Sequence, residues 1–183
     1  MLERLFNWFK SKATWAIFTL LFIGFIVCSG LFDQRNQQMK CQKMLDGSGW
    51  YSSKDVGILF DKIKTFDTEY LGINQHTDGL TLYAITELTV DFVFPFLYCF
   101  LIIIPITHLY SAEKAKYLIL LPIVAAAADL CENFSIAIMA LTYHDTVSPV
   151  APVAAVFTVI KSVLLIICII GVLPVGAINS VRK

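Results

Sequence analysis

Residues 128–135 read Ala-Asp-Leu-Cys-Glu-Asn-Phe-Ser, set between LILLPIVAAA and IAIMALTY. At 100° per residue, Asp129, Glu132 and Asn133 fall on one face of a helix. Two carboxylates there can act as general acid and base, or present oxygen to a hard cation. A second stretch, TELTVDFVFPFLY, repeats the theme. Glu87, Asp91, Pro95 and Tyr98 stand four, four and three residues apart, which predicts a single helical stripe. In a third, AVFTVIKSVLL, Lys161 is flanked by Thr158 and Ser162.

The depth of these residues makes a constellation of them. At 1.5 Å per residue, Asp91, Glu132, Asn133 and Lys161 lie ~14–16 Å from the outer ends of their apolar runs, with Asp129 about a turn deeper. A charged side chain at the bilayer centre costs at least ~2.5–3.5 kcal/mol. The arrangement of lowest cost brings all of them into one interior site. Three acids against Lys161 then require bound protons, a cation or access of water. Calcium or magnesium accepts oxygen ligands of this kind, whereas zinc favours nitrogen or sulfur.

Three readings follow. The first is a binding or assembly protein, in which the cluster fixes helix register or holds a proton, a cation or a lipid head group. The second is an intramembrane enzyme with Asp91 or Glu132 as general acid or base, and Tyr98, Ser135 or Lys161 as reaction partner. No spacing here specifies a reaction or a cofactor. The third is a subunit of an oligomeric channel or transporter, since four short spans make a small pathway alone. Polar side chains also act as interhelical glue, the bland alternative to all three. The sequon Asn133-Phe134-Ser135 lies at membrane depth and is a false positive.

The elements that must position these groups are helices. Of 183 residues, 57% are hydrophobic and 15% charged, against about a quarter charged in soluble domains. Apolar runs at roughly 13–31, 82–108, 117–142 and 150–177 each approach or exceed the ~20 residues that cross a bilayer. They lack the alternation of barrel strands. The expected class is all-α: one membrane domain over residues 1–183, a four-helix transmembrane bundle. The first run is too long for a signal-peptide core and has no clear cleavage site, so a retained helix is expected. Leu2, Leu5, Phe6 and Phe9 form an apolar stripe ahead of it, which predicts an interfacial helix continuing into the span.

Arg4, Lys10, Lys12, Lys114, Lys116, Arg182 and Lys183 fall on one side of the spans. The loop YHDTVSP on the other side has no Lys or Arg, so both termini are expected to be cytoplasmic. The long outer loop, about 32–81, also carries lysines, but long segments count less in this rule. Within it Val56, Leu59, Phe60, Ile63 and Phe66 are spaced for an amphipathic helix near 53–66, with Ser52 or Ser53 as N-cap. Trp50 and Tyr51 are candidate interfacial anchors. The helix is expected on the outer membrane face or over the bundle, as a packed lid or as a gate. The five cysteines form no CxxC, and Cys41 reaches Cys28 only if the chain folds back. His76, His108 and His144 share no helical face. Expected partners are membrane lipid, and a second copy or a larger membrane complex. The formal net charge of zero gives no global field for nucleic acid.

An aspartate ahead of Phe-Pro-x-x-Tyr (Asp91, Phe94, Pro95, Tyr98), an Asp-x-x-Glu-Asn (Asp129, Glu132, Asn133) and a Tyr-Ser opening the outer helix (Tyr51, Ser52) stand out together. This pattern resembles that of a loosely described family of small four-span membrane proteins. It covers most of the chain from Asp46 onward. The resemblance implies the fold and the positions of site residues, and no reaction.

Overall fold

The computed structural model describes residues 1–39, 44–45, 49–65, 67–69, 76–144 and 149–181. Lys40, Cys41, Lys43, Phe66, Arg182 and Lys183 lie outside the described residues. The chain is all-α. In order come α1 (Leu2–Lys12), α2 (Trp15–Gln38), α3 (Ser53–Ile63), α4 (Gly79–Leu88), α5 (Val90–Leu109), α6 (Ala112–Leu118), α7 (Leu120–Leu141), α8 (Ala151–Ile166), a π-helical segment (Ile167–Val172) and α9 (Leu173–Val181). Among the described residues four helical stretches, Trp15–Gln38, Gly79–Leu109, Ala112–Leu141 and Ala151–Val181, are long and apolar enough to cross a membrane. On these helices the protein is an integral membrane protein.

Three of the expected spans are interrupted, each for a local reason. Between α4 and α5, the Thr86 and Thr89 hydroxyls donate to the carbonyls of Leu82 and Ile85, and such bonds compete with the helical ladder. Thr89 itself leaves helical geometry, at φ −121° and ψ −77°. Between α6 and α7, Pro122 gives no N–H to the Leu118 carbonyl and its ring crowds that carbonyl. In the last stretch the π-helical segment ends just before Pro174, which likewise cannot donate to Ile170. The first span runs on to Gln38, because DQRNQQ continues the helix without a breaker.

Two compact units divide the chain: Met1–Val27 with Phe94–Ala128 and Ile160–Lys183, and Cys28–Val93 with Asp129–Val159. In the first, Phe6 and Phe9 of α1 are buried in a cluster with Ile103 and Ile106 of α5, Ala115 of α6 and Cys168. The Phe9 ring meets Phe100 edge-on at 5.3 Å. The expected continuous interfacial helix is therefore corrected on two counts. α1 stops at Lys12, with Ala13 and Thr14 outside any helix, and part of its apolar face is spent on protein rather than lipid. The corner is held by His108 Nε2, which donates to the Ala13 carbonyl at 2.9 Å, while Trp15 stacks on the His108 ring at 5.6 Å. Tyr110 donates its hydroxyl to the Val172 carbonyl, and its ring occupies the space beside Gly176.

In the second unit α3 forms where the sequence places it. Ser52 is the N-cap, and its capping box with Asp55 satisfies the first-turn donors in both directions. Val56, Phe60 and Ile63 are buried with Leu82, Tyr83, Ile136, Met139 and Ala154. Tyr51 belongs to the same cluster, so it is a core residue and not a surface anchor; Trp50 is exposed. At the far side of the loop, Asp67–Glu69 and His76–Asp78 pair as two short antiparallel strands. Asp78 then caps α4 by accepting from the Thr81 N–H at 2.9 Å. Gly79 must be glycine here, since a Cβ would come within 2.1 Å of the Ile63 carbonyl oxygen.

Candidate intramembrane polar site

The second unit holds most of the polar residues singled out in the sequence. Glu87 on α4, Asp91 on α5, and Asp129, Glu132 and Asn133 on α7 are all 2% exposed or less. The expected stripe from Glu87 to Tyr98 is broken at Thr89, so Glu87 and Asp91 belong to different helices. Tyr98 and Lys161 fall in the first unit. Both are buried there, Lys161 at 8% exposure on α8, three residues beyond Thr158.

Two interhelical hydrogen bonds define the geometry. Asn133 Nδ2 donates to the main-chain carbonyl of Asp91 at 2.9 Å. In an unbroken helix that carbonyl would accept from residue 95, but residue 95 is proline and has no N–H. At membrane depth an unsatisfied carbonyl costs several kcal/mol, and Asn133 removes that cost. The second bond runs from Thr158 Oγ1 on α8 to Glu132 Oε1 on α7. Asn133 Oδ1 is buried and accepts no hydrogen bond among the described residues.

Other candidates resolve differently. Ser135 is half-buried and donates to the Cys131 carbonyl of its own helix at 2.7 Å, so its hydroxyl is not turned toward the acids of its unit. Cys28 is a free thiol, and its proposed partner Cys41 lies outside the described residues. Among the described residues no group of three or more His, Cys, Asp or Glu is arranged to hold a metal ion. Sequence reasoning noted Thr158 only as a neighbour of Lys161, and missed it as the donor to Glu132. It also missed the reason for Asn133. The signal was present: a proline four residues after Asp91 announces a carbonyl in need of a donor.

No protein-family model, curated protein or solved structure matches the chain.

Proposed function

We propose that this membrane protein is a binding or assembly module whose second unit carries an intramembrane carboxylate site. Glu87, Asp91, Asp129, Glu132 and Asn133, with Thr158, set the register of the helices and offer buried carboxyl oxygens to a small hydrogen-bonded ligand, first of all a proton. The observation that carries this reading is the Thr158–Glu132 bond between α7 and α8. It places a hydroxyl on a fully buried carboxyl group at membrane depth, where ionisable groups are rare and functional by default. A proton is favoured over a metal because the described acids do not converge as a ligand set. Both termini are assigned to the cytoplasm on the lysine and arginine distribution.

The test is infrared spectroscopy of the purified protein in lipid, reading the carbonyl stretch of protonated carboxyl groups. A band at neutral pH that is lost in Glu132→Gln or Asp91→Asn is expected. A wild-type spectrum without any such band would overturn the proton reading. Topology is checked separately by labelling an introduced cysteine at position 3 or 114 from each side of intact cells; reaction from outside would reverse the assignment.

A further inference from the structure

The first unit contains a lateral groove of about 350 Å³, walled by Phe18, Phe22 and Phe25 of α2, Phe94 and Tyr98 of α5, and Ile169 of the π-helical segment. Its volume is at the lower end of small-molecule sites. All its walls belong to stretches of membrane length, so hydrocarbon is the surrounding medium. α2 meets α5 at Gly24, where a Cβ would stand 3.3 Å from the Leu97 side chain. Beside that contact, Phe25 and Phe94 stack at 4.8 Å.

The rings continue past the groove. Phe22 and Phe18 stack at 6.4 Å, Phe18 meets Trp15 at 5.7 Å, and Trp15 lies on His108. This ladder ends at the corner between α1 and α2. There α1 ends at Lys12, which is exposed, whereas Lys10 lies on another face of the helix with its ammonium 5.9 Å from the centre of the Phe6 ring. Trp15 is also largely exposed, as suits an indole at the level of the head groups. An apolar groove that leads along aromatic rings to a lysine has the polarity of a phospholipid.

We propose that the first unit binds one anionic phospholipid, with an acyl chain in the groove and the phosphate at Lys12. The charge of the corner selects an anionic head group over a zwitterionic one. The groove selects a membrane lipid over free phosphate. The site lies in a different unit from the carboxylate cluster and stands independently of it.

The test uses the full-length protein in mild detergent, with phosphatidylglycerol or phosphatidylcholine of identical chains, read by native mass spectrometry and by thermal stability. Phosphatidylglycerol is expected to be retained preferentially and to raise the melting temperature more. Lys12→Gln should weaken that preference by roughly fivefold, whereas Lys10→Gln should leave it unchanged. Both side chains are exposed, so these variants keep the fold. Ile169→Trp, which fills the groove, should lower retention of both lipids. Equal retention of the two lipids by the wild type would overturn the proposal. So would an unchanged preference in Lys12→Gln, or stabilisation by inorganic phosphate or soluble glycerol phosphate equal to that by the lipid.

Discussion

The side-chain amide of Asn133 donates to the main-chain carbonyl of Asp91, the one that Pro95 leaves without its helical donor. Proline and asparagine lie 38 positions apart in sequence, yet each accounts for the other. A helix can carry Pro95 at membrane depth because a neighbouring helix supplies the missing hydrogen bond.

That pairing is measurable. Asn133→Leu alone should destabilise the protein by about 1–3 kcal/mol, the cost of leaving a buried carbonyl unsatisfied. In the background of Pro95→Ala the backbone N–H at 95 returns, and the same substitution should cost much less. A double-mutant cycle scored by thermal unfolding in detergent reads the coupling. Additive losses would show that Asn133 does not serve this carbonyl.

The helix α3 is a part of the second unit's core. Phe60 is 1% exposed, with its ring edge-on to Tyr83 and Tyr143 at 6.0 and 5.2 Å. Phe60→Ala should therefore cost about 3–5 kcal/mol. Ile58→Ala, on the exposed side of the same helix, should cost little. Equal small effects at both positions would mean that α3 is a detachable lid.

Glycine substitutions should separate by position. Gly79→Ala drives a methyl group into the Ile63 carbonyl and should destabilise by about 1–3 kcal/mol. Gly30→Ala on α2 meets nothing within 4 Å and should be neutral or stabilising by up to about 1 kcal/mol. Melting temperatures of the two variants in one detergent give the comparison.

The legible and illegible parts of this chain divide along physical lines. Long apolar runs announce helices because lipid permits no other open backbone, and the spacing from Val56 to Ile63 announces α3. The buried state of Asp91, Asp129, Glu132 and Asn133 was readable from depth. The breaks at Thr89, Ile119 and the π-helical segment were not, because they arise from hydroxyl and proline competition within runs of uniform hydropathy. The fate of α1 was illegible for another reason. The apolar stripe from Leu2 to Phe9 is the same whether it meets lipid or protein, and only the turn at Ala13 and Thr14 sends it to Phe100.

Acid should act on α3 as well. Hydrogen bonds from the Ser52 side chain and backbone hold the Asp55 carboxyl below the usual aspartate range. The Lys64 ammonium, followed by the Tyr143 hydroxyl, does the same for Asp61. A depressed carboxyl contributes stability above its unfolded pKa of about 3.9, and that contribution is lost as pH falls through the folded value. The start of α3 should thus loosen below about pH 4. Trp50 fluorescence, taken during acid titration, reports it; Asp55→Asn should flatten the low-pH limb, and an unchanged limb would assign the transition elsewhere.

The burial of α3 in the second unit's core has an experimental consequence. About half of that unit lies in stretches of membrane length, where solvent deuterium reaches amides poorly and slow exchange says little about stability. The amides of α3 lie outside the four stretches of membrane length, but its buried face is released only when the unit opens. Deuterium uptake along residues 53–63 would therefore report, from the aqueous side, the opening free energy of a core otherwise hidden by lipid.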